Sequence, residues 1–194
     1  MVKGLSHYLR EAWKKTDREL LHSKMIKWRA GQAIEKVDRP LRLDRARSVG
    51  YKAKKGIVVV RVRVKRGGRK RVRVGVKGRK TRKQTNRKTL KMNYRQIAEI
   101  RAARKYKNLE VLNSYWIGKD GKHYYFEVIL IDSERNEIKS DRTLKWIGNG
   151  KNNKRAERGL TSAGKKARGL KSKRGKSQDL KVRPSLRAWN RRGK

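Results

Sequence analysis

The chain has 194 residues, of which 60 are Lys or Arg and 16 are Asp or Glu, and its formal net charge is +44. Because a compact protein with such an excess repels itself, the charge predicts a partner of high negative charge density, and nucleic acid is such a partner. The absence of cysteine excludes disulfide frameworks and cysteine-ligated zinc sites.

Apolar residues recur at helical intervals twice near the N-terminus. The first set is Leu5, Leu9, Ala12 and Trp13, and the second is Leu21, Met25 and Trp28. Thr16 and Glu19 have the spacing of a capping box, so we expect them to begin the second helix. Both apolar faces are expected to pack in the core, and Pro40 is expected to end the helical region.

The apolar period changes to two from residue 57 onward. Valines at 58, 60, 62 and 64 alternate with Val59, Arg61, Arg63 and Lys65, which predicts a strand with one apolar and one cationic face. After Gly67 and Gly68 the alternation resumes over 72–76. Two interpretations stay open, a hairpin over 57–76 or one strand followed by a protruding loop. Residues 77–91 are almost wholly polar and are not expected to fold alone.

The segment 93–141 is the part of the chain most typical of a folded core. Asn93 and an apolar stripe predict a helix over 93–106. Two apolar, aromatic-rich runs over 109–117 and 123–132 flank an Asp-Gly pair, which predicts a hairpin. Eight of the 16 acidic residues also lie between 99 and 141, so the charge is best balanced here.

The composition changes again after residue 147. Residues 148–194 hold 17 Lys and Arg against two acidic residues. We therefore predict a single α+β domain over 1–147, with an inserted basic loop or hairpin around 65–91, and a basic extension over 148–194 that orders on its partner. No membrane segment is expected, because the most apolar run, 124–132, is too short to span a bilayer.

The sequence brings together no residues for catalysis or metal binding. The three histidines lack ligands at zinc-like spacing, and Glu127 and Asp132 are expected on opposite faces of one strand. The glycine and lysine spacing of 159–165 is that of a P-loop, but Lys166 stands where Ser or Thr is required. We therefore predict that the chain is not an enzyme and uses no cofactor or metal.

The same segment has a simpler interpretation as a phosphate contact. Ser162 is expected to cap a short helix that runs toward Gly169, with Lys165 and Lys166 near its start. A flexible basic linker is the alternative for this segment.

Basic residues interleaved with glycine and aromatic residues are the main functional signal. Between Arg45 and Ala98 there are 22 Lys and Arg and no acidic residue. Three aromatic residues also lie close to basic residues in the sequence, and their rings can stack on bases: Tyr51 within this segment, and Trp146 and Trp189 outside it. Composition alone does not separate RNA from DNA, so a chromatin-type DNA-binding protein is the alternative. Several basic segments of different character around an ordered core favour a folded RNA.

Long sequence blocks carry a resemblance to a known family. They are 8–13 (YLREAW), 47–56 (RSVGYKAKKG), 61–70 (RVRVKRGGRK), 111–118 (VLNSYWIG), 126–132 (FEVILID) and 158–169 (RGLTSAGKKARG). In these blocks and in their order the chain resembles the archaeal and eukaryotic large-subunit ribosomal protein L15e family, in its archaeal form. The resemblance implies an α+β fold with an antiparallel sheet, helices and long extensions. It also implies a structural, non-catalytic role in cytoplasmic ribosomes, with large-subunit rRNA and neighbouring ribosomal proteins as partners.

The resemblance further implies which segments contact rRNA. They correspond to 45–55, 61–71 and 158–168 in this chain. The expected contacts are Arg45, Arg47, Tyr51, Lys52, Lys54, Lys55, Arg61, Arg63, Lys65, Arg66, Gly67, Gly68, Arg69, Lys70, Arg71, Arg158, Ser162, Lys165, Lys166 and Arg168. The chain departs from the family at 72–76, which alternates without the proline that we associate with a loop there, and the tail after 169 matches only loosely.

Overall fold

A computed structural model of the chain describes residues 2–68 and 89–170. The elements, in chain order, are α1 (Leu5–Lys14), α2 (Arg18–Ala30), β1 (Ile34–Val37), α3 (Leu43–Ser48), β2 (Ile57–Lys65), α4 (Tyr94–Lys105), β3 (Glu110–Lys119), β4 (His123–Ile131), α5 (Asn136–Lys139), two 3-10 turns (Lys145–Gly148 and Gly150–Asn152) and α6 (Ser162–Ala167). The α+β class is as predicted. The choice between hairpin and loop after Gly68, and the tail from 171, lie outside the described residues.

The two N-terminal helices are present, but a different residue caps the second. The carboxylate of Asp17 accepts a hydrogen bond from the Glu19 N–H at 2.8 Å and caps α2. The hydroxyl of Thr16 instead donates to the Ala12 carbonyl at 3.3 Å, which satisfies the end of α1. The capping-box prediction is therefore wrong, because Asp17 occupies the capping position that the pattern gave to Thr16.

The four strands form one antiparallel sheet in the order β1-β2-β4-β3. The predicted helix over 93–106 is confirmed as α4, whose cap is Asn93 accepting from the Gln96 N–H at 2.8 Å. The predicted hairpin is confirmed as β3 and β4, and the Asp120 carboxylate accepts the N–H of Lys122 at 2.7 Å in the turn. Strands β1 and β3 are the two edges of the sheet.

Both faces of the sheet are covered, which gives the fold three layers. Even-numbered residues of β4, such as Val128 and Leu130, pack against α4, whereas Ile129 and Ile131 belong to the cluster that contains Met25 of α2. This arrangement explains the almost unbroken apolar run of β4, since a central strand buried on both faces needs apolar residues at every position. Among the described residues no helix is long and apolar enough to cross a membrane.

The chain does not leave the folded body at residue 148, where the sequence predicted the extension to begin. Ala156, Thr161 and Ala163 are at most 2% exposed. The Arg155 guanidinium donates to the backbone carbonyls of Val111 and Leu112 in β3. Residues up to 170 thus pack against β3 and α4, which corrects the position of the boundary. The low aliphatic content that suggested an extension is compensated by small buried residues and buried hydrogen bonds.

Candidate nucleic-acid interface

The exposed members of the predicted interface lie in three separate segments. They are Arg45, Arg47, Lys52, Lys54, Lys55, Lys65, Arg66, Gly67, Gly68, Arg158, Lys165 and Lys166. Two of the arginines are nevertheless held in place by backbone carbonyls. Arg66 donates to Asp120 at 2.8 Å, and Arg158 donates to Lys151 at 2.8 Å and Asn153 at 3.1 Å. Such anchoring lowers the conformational entropy that a phosphate contact would cost.

The segment 45–55 is fastened to the protein through two of its lysines. The ammonium groups of Lys52 and Lys54 lie 3.0 and 2.9 Å from one carboxylate oxygen of Asp141. Hydrogen bonds from Lys54, Thr143 and Lys52 hold the pKa of Asp141 well below its usual range. Tyr51 is half-buried against the apolar cluster, which leaves less of its ring for stacking on a base. Two cations share one carboxylate, so the cluster keeps a net positive charge.

The predicted cationic face of β2 packs against α2, and Arg61 on this face pairs with Glu35 of the neighbouring strand β1. The Arg61 guanidinium lies 2.5 Å from the Glu35 carboxylate and 4.8 Å from the ring centroid of Trp28. Arg63 donates to the carbonyls of Trp28 and Arg29 at the end of α2. A guanidinium at this position satisfies carbonyls that the helix itself leaves unpaired. Both arginines are therefore half-buried groups that join α2 to the sheet.

The double glycine, Gly67 and Gly68, follows β2 after one residue, Arg66. The Tyr94 hydroxyl donates to the Gly67 carbonyl and accepts its N–H, each at 2.9 Å. Gly67 has a φ of +107°, a conformation that favours glycine. This contact joins the backbone of Gly67 to the start of α4. The predicted contacts Arg69, Lys70 and Arg71 lie outside the described residues.

The segment 158–169 forms a tight turn and a short helix, but the helix is capped by Thr161 rather than Ser162. The Thr161 hydroxyl accepts the Gly164 N–H at 3.1 Å, and Ser162 is the first helical residue. Lys165 and Lys166 lie in the last turn of α6 instead of near its start. The predictions that Ser162 caps this helix and that both lysines lie near its start are therefore wrong, whereas their contact with a phosphate stays a prediction.

Two further contacts make this segment rigid. A Cβ at Gly164 would lie 2.5 Å from the Cα of Gly159, so the backbones approach too closely for any side chain. Arg168 is 5% exposed and donates to the Gly159 carbonyl at 3.2 Å. Arg168 therefore holds the turn together, and the two exposed lysines present their charge from a fixed support.

Comparison with known proteins identifies the family. A family model described as Ribosomal L15 matches residues 4–189. The chain belongs to the ribosomal L15e family. Relatives named large ribosomal subunit protein eL15 are 49% identical in Methanocella arvoryzae and 51% identical in Methanospirillum hungatei, each over 199 aligned residues that cover both chains completely. The resemblance inferred from the sequence blocks is confirmed.

Membership of the L15e family makes the chain a structural component of the ribosome rather than an enzyme. Two buried carboxylates of the fold have structural roles. Glu99 is fully buried and accepts hydrogen bonds from Ser114 and Thr161, and Glu127 is 1% exposed and accepts from Tyr115. Burial raises the pKa of both glutamates. They join separate elements of the core, and the described residues contain no cluster that could hold a metal ion.

One cationic pocket of this L15e-family chain was missed by the sequence analysis. Arg10, Arg42, Arg45 and Arg95 line it together with Trp116, although these residues lie far apart in sequence. Only Arg45 was among the predicted contacts. The available signal was the aromatic block 111–118, but the sequence did not show that Trp116 is 40% exposed at the edge of the sheet.

Proposed function

We propose that this ribosomal protein binds and stabilises folded large-subunit rRNA through its basic segments, beside other large-subunit proteins in cytoplasmic ribosomes. The observation that carries the proposal is the net charge of +44, together with the exposed cations of 45–55, 65–66 and 158–166. The family match and the names of the two archaeal relatives support the same role. The segments 69–71 and 171–194 add further basic residues to the proposed interface.

Acidic groups of the fold do little to neutralise this surface, since several are used internally. Asp44 pairs with Arg42, Glu99 accepts from two hydroxyls, and Glu127 accepts from Tyr115 and from a backbone N–H. Asp141 is shared between two lysines. The exposed cations are therefore available to bind a polyanion such as RNA. Each phosphate that they neutralise releases counterions, which adds to affinity.

The predicted contacts divide into two roles in this proposal. Exposed Lys and Arg meet the phosphates, because their charged groups reach solvent. Arg61, Arg63 and Arg168 act indirectly, since their guanidinium groups bind Glu35 or backbone carbonyls. They hold α2, the sheet and the 158–169 turn in the arrangement that presents the exposed cations.

The test replaces two lysines of α6 and follows the salt dependence of binding. The double variant Lys165→Gln and Lys166→Gln is compared with the wild-type chain for binding to large-subunit rRNA between about 50 and about 200 mM salt. Each lost phosphate contact is expected to reduce the slope of log affinity against log salt by about 1. The expected reduction is therefore about 2, with a fold unchanged by circular dichroism.

A matched control removes the same charge from another part of the surface. Lys36→Gln and Lys119→Gln replace exposed lysines outside the three segments, and the slope is expected to change by less than about 0.5. Equal effects of the two double variants would show that only overall charge matters, against the assignment of α6. Binding of duplex DNA as tightly as rRNA by the wild-type chain would contradict the rRNA proposal and support the DNA-binding alternative.

A further inference from the structure

A pocket of about 380 Å³ lies between α1, α3, the start of α4 and the edge strand β3. Its principal lining residues are Arg10, Arg42, Asp44, Arg45, Arg95 and Trp116. Asp44 is the one carboxylate in this lining and pairs with Arg42 at 3.3 Å, and Arg95 lies 4.0 Å from the buried carboxylate of Glu99, which leaves Arg10 and Arg45 without a carboxylate partner among the described residues. The remaining positive charge makes the pocket a site for an anion.

Two of the four guanidinium groups are fixed by the protein. Arg95 donates to the Ser114 hydroxyl at 2.8 Å and also to the Asn113 side chain. Arg42 lies 4.7 Å from the ring centroid of Trp13 and pairs with Asp44 at 3.3 Å, so its position is fixed as well.

The other two arginines are free to close on a ligand. Arg10 and Arg45 are exposed, and neither side chain has a hydrogen bond or ion pair with the described part of the chain. They extend from different helices, α1 and α3, toward the same space. Two fixed and two adjustable donors around one cavity suit a phosphate, which accepts several charge-assisted hydrogen bonds at once.

Trp116 adds an aromatic surface to this cationic pocket. It is 40% exposed, whereas its neighbours Tyr115 and Ile117 are 2% and 0% exposed. The pairing register of β3 with β4 shifts between Trp116 and Gly118. Such irregularities at sheet edges redirect side chains, which explains how an indole is left open beside a buried strand. An exposed indole between arginines provides a stacking platform for a base.

We propose that this pocket takes one unpaired nucleotide of RNA, with its base against Trp116 and its phosphate among Arg10, Arg45 and Arg95. This inference rests on the proposed rRNA binding and specifies one contact within it. A free inorganic phosphate would leave the indole unused, and a nucleotide within a duplex cannot offer the face of its base. An unpaired nucleotide uses both the arginines and the indole.

The test uses the full chain with a short single-stranded RNA, the same RNA with abasic sites, and a duplex of the same sequence. The single-stranded RNA is expected to quench tryptophan fluorescence. Trp116→Ala should remove most of this quenching and weaken binding about tenfold, because stacking of one base is lost. The abasic RNA should bind the wild-type chain about tenfold more weakly than the intact strand.

Met92→Ala is the matched control. Met92 is 41% exposed, similar to Trp116, but it does not line the pocket and has no aromatic ring to stack on a base. Its replacement should change affinity less than about twofold. A second variant, Arg45→Gln, tests the phosphate side independently of Trp116 and should lower the salt slope by about 1. Thermal unfolding of each variant shows whether the fold is retained.

The outcomes separate this inference from the proposed function, because rRNA binding is measured in parallel. If the wild-type chain binds large-subunit rRNA but Trp116→Ala binds the single strand as tightly as wild type, the nucleotide pocket is wrong and rRNA binding stands. Equal affinity for intact and abasic RNA would reduce the pocket to a phosphate site and overturn the proposal. If the wild-type chain shows no preference for rRNA, the proposed function fails first.

Discussion

Individual basic residues of this chain serve two purposes that the sequence does not distinguish. Arg61 and Arg63 alternate with valines, just as exposed residues of a surface strand would. In the structure Arg61 pairs with Glu35 and Arg63 binds the carbonyl end of α2. The alternation predicted the side of the strand on which each arginine lies. It did not predict that a helix covers that side, because this depends on contacts between distant segments.

The buried carboxylate of Glu127 leads to a prediction about pH. Burial, as the largest cause, raises its pKa above the ordinary value of 4.5. Between the two values the folded protein binds more protons than the unfolded chain, so the free energy of unfolding falls as pH rises through this range. Glu127→Gln removes this ionisation and keeps an oxygen that can accept the Leu41 N–H. We expect the variant to gain stability relative to wild type as pH increases.

Urea unfolding of both proteins between about pH 4 and about pH 8 measures this difference. Each unit by which the pKa is raised contributes about 1.4 kcal/mol to the change between the two ends of the range. Glu134→Gln, at an exposed carboxylate, is the control and should show little change. A wild-type protein that gains stability over Glu127→Gln with rising pH would mean that the hydrogen bonds from Tyr115 and Leu41 outweigh burial.

At the scale of elements, the type of element was easier to predict than the residue that begins it. Helix α4 and the β3–β4 hairpin follow the predicted pattern closely. The caps of α2 and α6 are Asp17 and Thr161, each one residue from the predicted Thr16 and Ser162. Two neighbouring residues of similar chemistry can each act as the cap. The one that does so has extended backbone angles, such as Thr161 with ψ of 166°. The sequence alone does not determine these angles.

The α6 cap provides the prediction at this scale. The Thr161 hydroxyl accepts the Gly164 N–H and donates to the buried Glu99 carboxylate, so it joins α6 to α4. Thr161→Val preserves shape but removes both hydrogen bonds. Loss of a cap costs about 0.5–2 kcal/mol, and an unsatisfied buried group costs about 1–3 kcal/mol. We expect a loss of about 2–4 kcal/mol in the free energy of unfolding.

Chemical denaturation measures that loss, and limited proteolysis locates it. Thr161→Val should expose the 150–170 segment to cleavage before the rest of the protein. Ser162→Ala is the comparison, with an expected loss smaller than that of Thr161→Val, since Ser162 follows the cap. A larger effect of Ser162→Ala than of Thr161→Val would restore the cap predicted from the sequence.

For the whole molecule, the sequence predicted the class of fold better than the packing of the segment after residue 147. In β4 both the odd-numbered and the even-numbered residues are mostly apolar, which agrees with a central strand covered on two faces. The segment after 147 lacks such a run, so its packing was not predicted. It is held by Arg155 on β3 and Thr161 on Glu99. These are single long-range contacts that leave no periodic pattern.

The net charge of the whole chain predicts opposite effects of salt on folding and on binding. Sixty basic residues face 16 acidic ones, so repulsion among cations outweighs the ion pairs, of which Lys52–Asp141 and Arg104–Glu157 are examples. Added salt screens this repulsion over distances beyond about 8 Å at 0.15 M. We therefore expect the melting temperature of the free protein to rise by about 3 °C or more between about 0.05 and about 0.5 M NaCl, which corresponds to about 1 kcal/mol.

Binding to rRNA should respond to added salt in the opposite direction. If six or more phosphates are engaged, affinity should fall about a thousandfold or more between 50 and 200 mM salt, because counterions compete for the phosphates. Thermal scans of the free chain and binding titrations in the same buffers measure both effects, and sucrose at equal osmolality controls for preferential exclusion. A melting temperature that falls with salt would show that the internal ion pairs contribute more to stability than the excess charge costs. The free protein would then be stable without a polyanion, although its net charge is +44.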